Sequence, residues 1–407
     1  MVALGLVWWL NVKVPPDNGG ISDLGGYQTT ATAIAHGQWP YRDFFLEYPP
    51  LSAGVFVVAG WIGGLSATGF SHGMATEMLL FAWVAQVCAA RLAPAGRQAL
   101  VAWAFVLLPL AVGTLVRERY DVAPMAICIA AVLALAKGRN TTAFALLGAG
   151  AALKLFPLVL VPIAMVWLLA RGLRREGWAG GAVAVVVTAV LCAPFFAVSP
   201  HGFTEQFRFH LDRPVQIEST PASVLYALGG STVDGVPSHP DRFRSQGLIG
   251  SHARAVKTLF QVLEIAALAL LLIAAWRASA AVGGRPDAEL DVLLLGAMAA
   301  LLAFIALGKV FSVQYMIWLA PFAPLAWVRG HRDLATLLTA AYVLTWAYYP
   351  HHYFDLVFHT PTHRSVVVVL AVRNALLVGA LVIALVRLWR WSPARGTAAI
   401  GRPAQAG

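Results

Sequence analysis

The chain of 407 residues is 59% hydrophobic and 12% charged, with a mean hydropathy of +0.72. Soluble domains carry roughly a quarter charged residues, so a water-soluble globule is excluded and a multi-pass membrane protein is implied. The formal net charge of +10 does not point to a nucleic-acid partner, because the arginines stand in short loops between apolar runs and form no basic stripe with aromatics.

Only helices and closed barrels satisfy their backbone in lipid, and the ten-residue alternation of a barrel is missing, so the fold class expected is all-α integral membrane. Cys88, Cys128 and Cys192 lie in apolar runs with no paired spacing, which indicates neither a disulfide framework nor a zinc site.

From the N-terminus, residues 1–14 are too short for a full span and carry no cleavage site of a signal peptide, so they are expected to be a truncated first helix or one that begins upstream. Residues 15–73 read as a first extracytoplasmic loop. Within it Ser22 and Asp23 form an N-cap pattern ahead of Tyr27 and Ile34, which predicts a short interfacial helix. Asp23 alone reads as a cap; its company raises a functional reading. Asp43 and Glu47 follow on the same loop, and Tyr48-Pro49-Pro50 ends it in a rigid turn. A carboxylate at this boundary is a candidate general base; for Asp43 and Glu47, pairing with Arg42 or loop amides is the competing role.

Apolar runs predict spans near 74–93, 98–116, 122–136, 142–154, 156–170, 181–197, 256–276, 291–307, 313–328, 334–348 and 365–388. The stretch 51–70 decides the topology. If it crosses, Arg91, Arg97, Lys137 and Arg139 fall outside, against the positive-inside rule. A re-entrant or interfacial helix there brings every arginine-bearing loop to the cytoplasm, so that reading is preferred. Pro157 breaks the 142–170 run into a hairpin of two short helices with Lys154 at its outer tip.

In that topology the outer face gathers Arg117, Arg119, Lys154, Arg213 and Lys309, and cations held there suggest a bound anion, most simply a phosphate. The competing role is internal pairing with Glu118, Asp121 or Glu218. Arg373, inside the last span, is expected to face the bundle or a cavity, or to partner Glu264. His352, Asp355, His359 and His363 have spacings that suit a metal face on a helix, but loop histidines beside prolines rarely serve so, and no metal is expected. Trp39, Tyr41, Tyr48, Tyr315 and Trp318 suit sugar stacking, and interfacial belts use the same residues.

The string DLGGYQTTATAIAHGQWPYRDFFLEYPPL resembles the first extracytoplasmic loop of glycosyltransferase family 87, membrane enzymes of the GT-C class that use polyprenyl-phosphate sugars. Segments AALKLFPLVLVP, HLDRPVQIES and GKVFSVQYMIWLAP resemble other recurrent parts of that family, in the same order. The resemblance implies a GT-C-type bundle of about 11–12 transmembrane helices in one polytopic domain, with a large extracytoplasmic loop over 198–255 and a cytoplasmic tail over 392–407. It implies Asp23 as catalytic base and Lys154 and Arg213 near the lipid phosphate; on position alone, Asp43 and Glu47 are candidate second acids, and Arg117, Arg119 and Lys309 candidate phosphate contacts. Tyr27, Tyr41, Tyr48, His210, Gln216, Glu218, Gln314 and Tyr315 would line the sugar and acceptor region.

The function expected is inverting transfer of a hexose or pentose, mannose or arabinofuranose foremost, from a polyprenyl-phosphate-linked donor to a glycolipid or polysaccharide acceptor of the cell envelope. The site would sit on the extracytoplasmic side of the plasma (inner) membrane, without a cofactor. A transporter or flippase of lipid-linked sugars, or a noncatalytic lipid-sugar-binding subunit, are the alternatives; a transporter tends to show paired repeats, which this chain lacks.

Overall fold

The computed structural model describes residues 1–12, 22–234 and 246–391. The expected tail over 392–407 lies outside the described residues. Helices account for nearly all of the rest, as a chain this apolar requires.

The order begins with α1 (Val2–Val12), α2 (Leu24–Ala35), α3 (Leu51–Gly63) and α4 (Ala67–Leu92). The expected span over 98–116 is instead three pieces, α5 (Gln98–Val106), α6 (Leu108–Val112) and α7 (Leu115–Glu118). Gly113, at φ 61° and ψ −140°, ends α6 in a conformation that only glycine accepts readily. Then come α8 (Val122–Ala136), α9 (Asn140–Leu153), α10 (Leu160–Ala170), α11 (Arg174–Val198) and α12 (Pro200–Asp212).

α9 stops where expected. Pro157 has no N–H to offer the Leu153 carbonyl, and Lys154 takes extended backbone at φ −156° and ψ 142° before a 3-10 turn leads into α10.

The 198–255 region holds α12, α13 (Thr220–Leu228) and a small antiparallel sheet that the hydropathy pattern did not announce. Strand β1 (Val215–Gln216) and β2 (Ser231–Asp234) flank β3 (Gly247–Gly250), with Val215 opposite Leu248 and Ser231 opposite Gly250. The chain finishes with α14 (Ala253–Ala281), α15 (Pro286–Leu307), α16 (Met316–Leu319), α17 (Phe322–Val328), α18 (Arg332–Tyr348), α19 (Tyr353–Phe358) and α20 (His363–Trp389). The expected 313–328 span is thus broken between α16 and α17.

Among the described residues five helices, α4, α11, α14, α15 and α20, are long and apolar enough to cross a membrane, and shorter apolar helices such as α3, α8 and α9 pack among them. α15 is the central one, buried almost along its whole length from Val292 to Ala306. α11 and α14 are the peripheral ones, presenting Val185, Val190, Val262 and Ile265 outward.

α3 turns at Gly64 and packs back along the first half of α4 at backbone contact. A Cβ on Gly73 would lie 2.0 Å from the Ala59 carbonyl oxygen, and one on Gly63 would lie 1.9 Å from that of Gly69. α3 therefore delivers Tyr48 and Pro49, just ahead of it, to a fixed place at the mouth of a cavity.

Candidate active site

One cavity of about 360 Å³ collects most of the polar groups singled out in the sequence. Its walls come from the start of α2, the 47–49 turn, the 119–121 corner, the Lys154 break, the end of α12, and the segment between α15 and α16.

Asp23 stands at the N-cap of α2 but makes no side-chain cap bond there; the Leu24 amide donates to Ser22 Oγ at 3.3 Å instead. Its carboxylate faces the cavity, forms an ion pair with Arg119, and accepts from the Tyr27 hydroxyl at 3.2 Å. The capping role weighed from the sequence is thus not the one its side chain performs.

Tyr27 itself lies behind the wall, stacked on Phe56 at 4.2 Å and edge-on to Tyr120 at 5.6 Å. Tyr41 is also behind it, donating to the Tyr48 carbonyl at 2.6 Å. Both brace the lining expected of them, and Tyr48 reaches the cavity.

The two further acids part company. Glu47 lines the cavity. Asp43 is on the outer surface, bound by Arg42 at 2.8 Å and by the Trp39 amide at 2.7 Å, and those bonds draw its pKa down to about 2. Its role is loop closure.

Among the cations, Arg119, Lys154, Arg213 and Lys309 line the cavity. Arg117 does not: its Nε donates to Asn11 Oδ1 at 3.1 Å and its guanidinium lies 3.8 Å from Glu118, so it ties the 115–118 turn to α1. One residue of the chain separates inward Arg119 from sideways Arg117, because the helical turn ends at Glu118 and Arg119 is extended.

Lys154 is buried in the wall and not displayed at an outer tip. Its Nζ donates to Asp121 Oδ1 at 2.7 Å, and Trp318 Nε1 donates to the same oxygen at 2.7 Å. The rings of Tyr120, Trp318, Tyr48 and Tyr315 surround the ammonium at 4.6, 5.6, 5.7 and 5.8 Å. Tyr315 stacks on Trp318 at 4.0 Å and Phe156 does so at 3.7 Å. Asp121, fully buried at the N-cap of α8, organises this cluster. In the sequence Asp121 stood out only as a possible partner for the cations; its place at the end of the run 117–121, opening an apolar helix, was the available signal.

On the opposite side, His210 Nε2 meets the Glu47 carbonyl at 2.8 Å; burial and the nearby Arg213 charge push its pKa down to about 4, so the ring is neutral at physiological pH. Lys309 Nζ donates to the Leu211 and Arg213 carbonyls at 2.6 and 3.2 Å, and Lys257 donates to the same two at 3.2 and 3.4 Å. Burial and the facing Lys257 push the Lys309 pKa down to about 7.

Gln216, Glu218, Gln314 and Tyr315 complete the expected lining. Glu218 is deep in the wall, accepting from Gln216 Nε2 at 2.7 Å and from the Tyr348 hydroxyl, and burial raises its pKa. Arg373 is beneath it, donating to the Glu218 carbonyl and to the Tyr348 hydroxyl at 2.9 Å, and stacks over Phe311 at 4.1 Å. The suggested Arg373–Glu264 pair is therefore replaced by a link to the Glu218 segment. Glu264, with Gln261, instead faces the cavity, and neither was recognised as a site residue from the sequence.

The set His352, Asp355, His359 and His363 divides into a 2.8 Å His352–Asp355 pair and a His359–His363 stack at 4.3 Å. Among the described residues no group of three or more His, Cys, Asp or Glu side chains is placed to hold a metal.

The sequence profile of glycosyltransferase family 87 matches residues 45–305, well over half of the chain. The chain belongs to glycosyltransferase family 87. No curated protein matches it. Two crystal structures of ArnT from Cupriavidus metallidurans, one bound to undecaprenyl phosphate and one in the apo state, are similar at 18% identity, each covering 95% of this chain and 76% of ArnT, with TM-scores of 0.40 and 0.42.

The family 87 match takes in Glu47, Asp121, Lys154, His210, Arg213 and Glu218. Asp23, Lys309, Gln314 and Tyr315 lie outside its limits but line the same cavity. This membrane glycosyltransferase thus joins both sets of residues in one cavity.

Proposed function

We propose that this family 87 protein transfers mannose or arabinofuranose, or a similar single sugar, from a polyprenyl phosphate to a glycolipid or glycan of the cell envelope. The reaction takes place on the extracytoplasmic side of the plasma membrane, with inversion at the anomeric carbon.

The observation that carries this reading is one cavity in which a carboxylate free of capping duty, Asp23, confronts Arg119, Lys154 and Arg213. Asp23 takes the proton of an acceptor hydroxyl whose oxygen attacks the anomeric carbon. The bond from that carbon to the phosphate oxygen breaks, and the departing polyprenyl phosphate keeps the electron pair. Cations preorganised in a wall shielded from bulk water stabilise that developing charge without reorganising. Arg119 already touches Asp23, so one guanidinium lies between base and leaving group. The aromatic residues Tyr48 and Tyr315 line the cavity and offer their rings to the sugar, with Trp318 stacked behind Tyr315.

The test is transfer of radiolabelled sugar from polyprenyl-phosphate mannose and polyprenyl-phosphate arabinofuranose in membranes at matched expression. Asp23→Asn is expected to lose about a hundredfold or more of the wild-type rate, in the range of a general base. Equal rates in both proteins remove Asp23 from that role, and movement of the lipid-linked sugar across the bilayer without transfer selects a flippase.

A further inference from the structure

α14 carries two faces of different character. Leu259, Val262, Leu263 and Ile265 point outward and are exposed, as lipid-facing side chains are. Its inward face changes character along its length: Leu271, Ala274, Ala275 and Ala278 bury against neighbouring helices, while Lys257, Gln261 and Glu264 stand nearer the start. The spacings of four and three residues set these polar groups on one face, and Gln261 and Glu264 reach the cavity.

A carboxylate and a carboxamide in a helix of membrane-crossing length are costly, and such groups mark function. Neither side chain forms a hydrogen bond or salt bridge within the described residues, so both keep their full bonding capacity for the cavity. Lys309 acts on Glu264 electrostatically, but its ammonium is committed to the Leu211 and Arg213 carbonyls at 2.6 and 3.2 Å.

Gln261 and Glu264 bring no cation to a phosphate, whereas Arg119 and Lys154 do. The donor phosphate accordingly belongs on the side of Arg119 and Lys154, and the α14 wall is left for a neutral polar group. The carboxylate accepts from two hydroxyls and the carboxamide both donates and accepts, which matches neighbouring hydroxyls on a sugar ring. Phe304 also lines the cavity and offers apolar surface for the ring's C–H groups.

We infer that Gln261 and Glu264 form a sugar-hydroxyl subsite in the cavity wall, recognising the glycose of the lipid donor or that of the acceptor. This rests on the glycosyltransferase reading above.

The experiment is equilibrium binding to the purified full chain in detergent, with bare polyprenyl phosphate, its mannosyl and arabinofuranosyl forms, and the methyl glycosides of both sugars. The wild type is expected to bind at least one sugar-bearing probe, and a lipid-linked sugar more tightly than the bare lipid if the donor's glycose is the one held. Glu264→Leu then weakens that probe by roughly tenfold to a hundredfold, the range for hydrogen bonds to a charged group, and Gln261→Leu by roughly twofold to tenfold, the range for neutral ones, with bare polyprenyl phosphate unchanged. Loss on the lipid-linked sugar assigns the donor; loss on the methyl glycoside assigns the acceptor. Glu264→Gln, which keeps shape and one acceptor oxygen, lies between and controls for folding through an unchanged melting temperature. Unchanged sugar binding in the leucine variants, equal weakening of bare polyprenyl phosphate, or a wild type that recognises no sugar overturns the subsite. Failure of the function reading shows separately, as absence of polyprenyl phosphate binding in every variant.

Discussion

Among single residues, the site is held together by charges that are spoken for. Lys154 and Asp121 face each other in a buried wall, and the rings around the ammonium take the place of water. A cation at the Lys154 break was legible, because a lysine at a helix break in an apolar run has few other uses, but it was expected at an outer tip and not buried in the wall. Its partner was not legible, because Asp121 is 33 residues away in the chain and competes on paper with Glu118 and Glu218. Lys309 gives a prediction with a definite sign. Its pKa drops from 10.5 to about 7 on folding, through burial first and Lys257 second. Between those values the unfolded chain holds a proton that the folded one has released, so stability rises with pH through that window. The charge penalty is full below about 7. Thermal unfolding of the detergent-purified protein should show the wild type gaining on Lys309→Met as pH is raised from about 7 to about 10; a flat difference, or one of opposite sign, would sink the assignment.

Whole elements succeeded or failed in the sequence reading according to whether their ends are written locally. The α9 break was legible because Pro157 leaves the Leu153 carbonyl without a donor. The apolar run over 98–116 gave no such warning, and Gly113 broke it through a backbone conformation that hydropathy does not register. α4 begins at Ala67, ahead of the expected 74, because Ser66 accepts the Gly69 amide at 3.2 Å and the glycines that look like loop are there for close packing. That packing is testable. At Gly73 a Cβ would meet the Ala59 carbonyl at 2.0 Å, so Gly73→Leu must push α3 away from α4. Overpacking of this kind costs about 1–3 kcal/mol, and more where backbone is the obstacle. Because α3 positions Tyr48 and Pro49, we expect a lower melting temperature together with reduced sugar transfer; a variant that melts normally and transfers normally would show that the α3–α4 contact is slack.

Over the whole molecule, the all-helical membrane fold was readable from hydropathy and from the resemblance, while the connections closing the cavity join residues far apart in sequence. Arg373 and Glu218 are 155 residues apart, and no local signal pairs them. Through this link the last helix braces the wall of the cavity. Removing one member of a buried charged network costs about 3–5 kcal/mol, so Arg373→Met should melt well below the wild type and Arg373→Lys between them. A normal melting curve for Arg373→Met would mean that α20 does not brace the Glu218 segment.

The Asp121 cluster also bears on how the protein is made. Lys154 is available 33 residues after Asp121, but Trp318 follows it by 197. During synthesis the acid and the base can cancel each other's charge as soon as the α8–α9 pair leaves the ribosome, long before the indole arrives to complete the set. The chain order thus allows this buried carboxylate to be paired with its nearest partner before the later helices are made, and the distant tryptophan to complete the arrangement once they are inserted.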